Sequence, residues 1–235
     1  MRRIVIATVV SLGILMIAAF LIFNALNAGQ HRPSEPVQLP TPLGISRLPQ
    51  PTLKGNMSVE EALNTRRSVR EYSSTDLSDN DLSQIMWAAQ GITGLHGFRT
   101  APSAGARYPI DVYVVNATGV YHYIPLNHSL EKIKEGNMRI NLMQAALNQN
   151  AVGHAPLDLV ITGVYERTAV KYGGRAERYV CLEAGHVAQN VLLQCTALHL
   201  GAVPVGGFDD AKVQDVLGIG RDNRPLYIIP IGHTK

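Results

Sequence analysis

Cysteine is nearly absent: Cys181 and Cys195 are the only two among 235 residues. That excludes a disulfide-framed mini-fold and any zinc module built on clustered cysteines. The two lie fourteen positions apart on what reads as one helix, about 21 Å by helical rise, so they cannot pair within a chain and are expected to pack in the core. Charge is sparse as well, at 17% of residues. A net charge of +3 falls far short of the basic stripe that double-stranded nucleic acid requires, so no nucleic-acid partner is expected. Signatures of several catalytic classes are missing. Gly91-x-x-Gly94-x-x-Gly97 is not a G-x-G-x-x-G turn, no G-x-S-x-G elbow exists, and His122 and His128 lack partners at metal-ligand spacing. Glu183 and His186 stand at i and i+3 without the second pair and extra glutamates of a di-metal bundle. No metal is expected, and these two read as a satisfied polar network. Hydrophobic residues at 46% are ample for a core.

Hydrophobicity is concentrated at one end. Ile4–Phe23 holds twenty residues without a charge, preceded by Arg2 and Arg3, enough for roughly 30 Å of helix and so for a bilayer core. The rival is a cleaved signal peptide, whose apolar region is about 7–15 residues; cleavage after Ala28 or Ala25 would put Leu26 or Phe23 at the −3 position. Residues 1–27 are therefore expected to be a single-pass membrane anchor. The positive-inside tendency keeps Arg2 and Arg3 in the cytoplasm and places the domain outside, although His31, Arg32, Arg47 and Lys54 beyond the span weaken that orientation. Six prolines between Pro33 and Pro51 mark 28–56 as a semi-rigid polyproline linker. The globular domain is expected over 57–235.

Within it, Ser58-Val-Glu-Glu61 is a capping box that starts a helix at Val59 running towards Arg66. A second helix follows Ser78 and puts Leu82, Ile85, Met86 and Ala89 on one face. Strands are expected at Asp111–Val115 and Gly119–Ile124, joined as a hairpin, with a helix around Arg139–Asn148. Leu157–Val164 is apolar nearly throughout and reads as a central strand. Tyr179–Leu200 reads as a helix apolar all round, which implies burial on every side and hence a partner subunit. Asp209 caps a short helix ending at Gly218, and Leu226–Ile231 is the last strand. Helices alternating with a hairpin argue for an α+β fold, its mostly antiparallel sheet flanked by helices.

Three segments could carry chemistry. Arg66, Arg67 and Arg70 crowd around Ser68 at a helix end; forked guanidinium donors and a hydroxyl suit phosphate, and a solvated basic helix end is an equal reading. Pro102-Ser-Ala-Gly-Ala106 and Pro204-Val-Gly-Gly207 are small-residue loops where a backbone can approach a flat ligand, and plain loops look the same. Together with Lys171-Tyr-Gly-Gly-Arg175 and Leu182-Glu-Ala-Gly-His186, and in this order, they resemble nitroreductase-like FMN oxidoreductases. The resemblance spans roughly residues 56–235 and is closest to the SagB-type dehydrogenase branch, which includes thiazoline and oxazoline oxidases.

That resemblance implies a homodimer with two FMN sites at the subunit interface and the long helix in the dimer core. It puts Arg66 and Ser68 on the FMN phosphate, Arg70 near N1 and O2 of the flavin, and a backbone N–H of Gly206 or Gly207 against N5. Pro102, Ser103, Ala104, Gly105, Pro204 and Val205 belong to the same cofactor-binding loops. Lys171 and Tyr172 resemble the Lys-Tyr pair that azoline-oxidising members use as acid–base groups; the glycines after them also fit a surface turn. Nitroreductases proper often have asparagine where this chain has Ala106, and a basic pair beyond the last strand, which leaves Arg67 or Lys235 to supply a second charge at the phosphate. The expected function is an FMN-dependent oxidoreductase acting on a small molecule. The alternatives are an NAD(P)H-dependent nitro- or quinone reductase and a non-catalytic flavin-binding protein.

Overall fold

The computed structural model describes residues 44–235. The expected membrane span and the first part of the proline-rich stretch lie outside them. Among the described residues, no helix is long and apolar enough to cross a membrane.

Local signals place the first two helices. Ser58 Oγ accepts from the Glu61 N–H and Glu61 Oε2 from the Ser58 N–H, opening α1 (Val59–Thr65). Ser78 and Asp81 close the same reciprocal box at the start of α2 (Asp79–Gln90). Seven strands then build one sheet: β1 (Ile45–Arg47), β2 (Ile110–Asn116), β3 (Gly119–Ile124), β4 (Ser129–Glu135), β5 (Leu157–Val164), β6 (Leu200–Ala202) and β7 (Asn223–His233). Their order is β1-β4-β3-β2-β5-β7-β6, and every neighbouring pair is antiparallel.

β5 is central, as its apolar run implies, with β2 on one side and β7 on the other. Alternation along it feeds two cores. Leu157, Leu159 and Ile161 pack with Ile85 and Met86 of α2 and with Val187 and Val191 of α6 (Ala176–Ala197). Val160 faces the other way, against Leu142 of α3 (Arg139–Ala145), Val152 of α4 (Asn150–His154), and Val213 and Leu217 of α7 (Asp210–Leu217). Helices therefore cover both faces of the sheet, and each fully buried Leu or Ile contributes about 1.5–3 kcal/mol.

Several expectations change. The helix expected over Arg139–Asn148 stops at Ala145, because Leu147 and Asn148 both turn left-handed before α4 begins. The long helix starts at Ala176, three positions before the expected Tyr179, and within one chain only a stripe of it is buried; Leu182 is 55% exposed and Cys181 is exposed. Cys195 packs in the core as expected, whereas Cys181 does not. β4 and α5 (Tyr165–Tyr172) had no counterpart in the sequence reading. The sheet also begins inside the stretch read as linker: β1 pairs with β4, Thr52 N–H donates to Gln84 Oε1 at 2.8 Å, and the Pro49 carbonyl accepts from Ser83 Oγ.

Candidate flavin site

The basic motif is laced onto the edge of the sheet. α1 ends at Thr65, and the chain turns to run beside β6: Ser68 bridges Ala202, and Val69 N–H donates to the Ala202 carbonyl at 3.1 Å. Close approach here needs Gly201, since a Cβ there would lie 2.7 Å from Val69 Cγ1. Further on, Tyr72 pairs with Thr234, Ser73 N–H donates to the His233 carbonyl, and the buried Tyr72 hydroxyl donates to the Val69 and Pro230 carbonyls. The basic motif is thus fixed to β6, two residues before the Pro204–Gly207 loop, and to the end of β7. Ser68 and Arg70 are exposed and Arg66 is half-buried on this rigid edge. Arg67 is different. Its Nη1 folds back to donate to the Asn64 and Arg66 carbonyls at 3.0 and 2.8 Å, completing the end of α1. Orphan carbonyls at a helix end explain that contact, which turns one Nη of the exposed Arg67 towards its own helix.

A second cluster forms at the other end of the strands. The loop 98–109 is tied down by a bridge between Ile92 and Arg99, by Thr100 N–H donating to the Gly91 carbonyl, and by Ser103 Oγ accepting from Tyr108 N–H at 2.8 Å. Gly105 sits at φ +61, and a Cβ on it would fall 2.7 Å from the Tyr172 hydroxyl and 2.9 Å from Lys171 Nζ. Lys171 and Tyr172 are therefore not a loose surface turn. They are the last turn of α5, seated directly on the Pro102–Ala106 loop. α5 is in turn fixed to β2 by a bidentate Arg167–Asp111 pair at 2.7 and 2.9 Å, and to the loop by Arg107 Nε donating to the Arg167 carbonyl. Tyr172 also meets Tyr179 edge-on, ring centres 5.0 Å apart.

Beneath this loop lies Glu183, read from the sequence as part of a satisfied polar network. Its surroundings come from its own chain: Ser103, Gln90 and Arg99 face it, and burial pushes its carboxyl up to about 7 against those opposing contacts. Glu183 Oε1 and Gln90 Nε2 are buried without partners, while Gln90 Oε1 accepts from Arg99 Nη1 at 3.0 Å. Arg99 in turn stacks 4.5 Å over the Tyr108 ring. His186, one turn on, is exposed. No motif marks Arg99 or Gln90 in the sequence, because their roles arise from the loop folding back over α6. Among the described residues no group of three or more His, Cys, Asp or Glu could hold a metal ion.

The two clusters do not converge within one chain. Ala202 is opposite Ile231, and Ile231 opposite Leu157, so the basic motif sits at the first end of β5. Val164, the last residue of β5, donates to the Pro109 carbonyl and leads into α5. Seven strand steps of about 3.3 Å separate those ends, roughly 23 Å. A cleft of about 1230 Å³ lies elsewhere, between residues 52–65, Trp87 of α2 and Gln194 of α6, and contains neither Tyr172 nor Gly206.

The donor set fits FMN. The Arg66 guanidinium and the Ser68 hydroxyl on a fixed edge suit a phosphate, and the exposed Arg70 beside them suits an electron-rich ring edge. Gly206, exposed and with nothing within 4 Å of where a Cβ would be, leaves room for a planar ring against the backbone.

Similarity to known proteins identifies the family. The chain is 46% identical over 182 residues to a Methanocaldococcus jannaschii protein named as a nitroreductase, covering 75% of this chain and 91% of that one. The microcin B17-processing protein of Escherichia coli is 28% identical over 142 residues, 55% of this chain and 52% of its own length. A Ralstonia eutropha protein, also named as a nitroreductase, has a crystal structure that superposes with a TM-score of 0.75 at 33% identity, covering 84% of this chain and 95% of that one. The nitroreductase family pattern matches residues 63–233. The chain belongs to the nitroreductase family of oxidoreductases.

Proposed function

We propose that this chain is an FMN-dependent dehydrogenase of the SagB type, working as a homodimer in which one subunit's basic edge and the other's Lys171–Tyr172 cluster meet over one flavin. The observation that carries it is the contact of Lys171 and Tyr172 with Gly105, which seats two proton-active groups on a loop of the cofactor-binding set. The distance along β5 between the two clusters supports the dimer, as does the exposed Leu182 on α6. Likeness to a protein that processes microcin B17 supports an organic, peptide-like substrate over a nitro compound.

When bound, FMN supplies the two-electron chemistry, taking a hydride from one substrate and passing the electrons to another. The protein's part is binding and proton handling. Arg66 and Ser68 hold the phosphate, and Arg70 places positive charge at the N1–O2 edge. Lys171 or Tyr172 accepts the proton that leaves the carbon next to the oxidised one; a general base within hydrogen-bond reach contributes about 10²–10⁴-fold. Residues 1–27 tether the enzyme to the cell membrane with its domain on the outer side, where nicotinamide donors are scarce and an organic donor or quinol takes their place.

The test is an absorbance spectrum of the purified full-length chain, followed by anaerobic addition of NADH or NADPH. Flavin bands that dithionite bleaches and nicotinamides do not are the expected result. Bleaching by NAD(P)H within seconds moves the assignment to a nitro- or quinone reductase, the reading that the relative named as a nitroreductase favours. A colourless chain that FMN cannot reconstitute overturns the proposal.

A further inference from the structure

The loop carrying Gly206 and Gly207 is pinned at both ends and held in the middle by a single side chain. Val205 exchanges two backbone hydrogen bonds with Ile228 of β7, at 2.8 and 2.9 Å, and Asp209 N–H donates to the Ala145 carbonyl at the end of α3, at 2.8 Å. Between these anchors the two glycines are exposed. A Gly-Gly pair has the widest backbone freedom a chain offers, so the direction of its N–H groups is undetermined unless something fixes it.

Gln149 reaches that gap. Its Nε2 donates to the Gly207 carbonyl at 2.8 Å and to the Ala146 carbonyl at 3.0 Å. With carbonyls on both sides, only the nitrogen end of the amide can face the loop, so the orientation of the group is determined. The backbone is bent to deliver it. Leu147 and Asn148 take φ values of +57 and +59 in succession, a conformation disfavoured for any residue with a Cβ, and the turn is closed by Asn148 N–H donating to the Met143 carbonyl and Gln149 N–H to the Ala146 carbonyl. The same break that ends α3 early therefore places this one amide against the glycine loop.

We infer that Gln149 is a positioning residue which, by tying down the Gly207 carbonyl, fixes the Gly207–Phe208 peptide plane and so restrains the glycine loop that presents its N–H groups to the flavin. The inference rests on the flavin reading above and adds to it a residue outside every segment that carries the family resemblance. The consequence is redox-specific. A ring nitrogen that is unprotonated when oxidised accepts a hydrogen bond from the backbone; once reduced it carries hydrogen and no longer accepts. A well-aimed N–H thus favours the oxidised form, and a loop left free to rock weakens that preference.

The experiment uses the full-length chain loaded with FMN. Gln149→Met removes the donor at nearly constant length, and Gln149→Glu sets carboxylate oxygens against two carbonyls. Each is expected to shift the ratio of affinities for oxidised and reduced FMN about tenfold towards the reduced form, a rise in midpoint potential of about 30 mV for a two-electron couple. Amide hydrogen exchange across 206–208 is expected to quicken about tenfold in the same variants, while Gln144→Met, exposed on α3, changes neither. A midpoint unchanged in both Gln149 variants, with FMN bound, overturns the inference and leaves the flavin site standing. A wild-type chain that takes up no FMN overturns the flavin reading and this inference with it.

Discussion

The hydroxyl of Tyr172 occupies space that any side chain at position 105 would need, 2.7 Å from the Cβ a residue other than glycine would carry. Gly105 therefore serves the Lys171–Tyr172 pair by its emptiness. Gly105→Ala is expected to push both side chains off the loop and to cut turnover of an organic substrate more than tenfold while FMN stays bound. Its left-handed φ adds about 1–2 kcal/mol of backbone strain. Gly97→Ala, at φ +75 with nothing within 4 Å, carries the same strain without the clash. Comparable turnover in the two variants would mean that the contact has no bearing on catalysis.

Arg70 tests the other half-site. Reduction places negative charge at the N1–O2 edge, and a guanidinium there favours the reduced form. Arg70→Gln is expected to lower the midpoint potential by roughly 30–60 mV, the size of one charge-assisted hydrogen bond. This shift is opposite in sign to that expected of the Gln149 variants, so a general loosening of the site cannot produce both. A potentiometric titration of bound FMN decides; an unchanged midpoint removes Arg70 from the flavin edge.

What the sequence made legible was local. The capping box at Ser58 and the helix start at Ser78 act over a few residues, and the apolar run of β5 reports burial on both faces, so each translates directly into structure. β4 was opaque because Ser-Leu-Glu-Lys-Ile-Lys-Glu reads as a solvated charged segment, whereas most of its charges are half-buried and Lys134 Nζ donates to the Asp215 and Val216 carbonyls of α7. The break after α3 carries no glycine or proline; its left-handed residues are a leucine and an asparagine. At the site, residue types suited to phosphate and proton transfer could be read from motifs, whereas Arg67's turn towards its own helix and the burial of Glu183 under the 98–109 loop depend on contacts that span the chain.

Asp158 is fully buried on β5, and neither carboxylate oxygen has a partner. Burial holds its carboxyl well above the usual range, with Arg139 opposing. For an acid raised in the folded state, the contribution to stability is complete below the unfolded pKa of about 3.9 and is lost as pH rises towards the folded value. Asp158→Asn is expected to abolish that loss. Its advantage in unfolding free energy over wild type should widen from pH 5 to pH 8, reaching about 1–3 kcal/mol. A constant difference at all pH values would count against a carboxyl that is neutral in the folded chain.

Glu183 follows the same sign with a lower ceiling. Its folded value of about 7 means that stability falls as pH rises from the unfolded value of about 4.3 to about 7, and is level beyond. Glu183→Gln should reduce the fall of the thermal midpoint between pH 5 and pH 7 by the share of this one group, and leave the curve above pH 8 parallel to wild type. A slope unchanged by the substitution assigns it to another group.

The proline-rich approach to the domain is anchored by Ser83, whose Oγ donates to the Pro49 carbonyl and lies 2.8 Å from His128 Nε2. His128 Nδ1 lies 2.8 Å from the Tyr123 hydroxyl, so one imidazole joins β3, α2 and the incoming strand. Burial lowers the His128 pKa, with the Pro49 carbonyl opposing. For a base lowered in the folded state, stability is lost as pH falls below the unfolded value of about 6.5, because the opened form binds the proton more readily. Ser83→Ala leaves the Pro49 carbonyl with the imidazole alone. Trypsin cleavage at Arg47 and Lys54 is expected to accelerate several-fold in that variant, with hydrogen exchange over 45–52 faster at pH 5.5 than at pH 7.5 once corrected for intrinsic rates. Cleavage at the wild-type rate would mean that the β1–β4 ladder alone holds the segment.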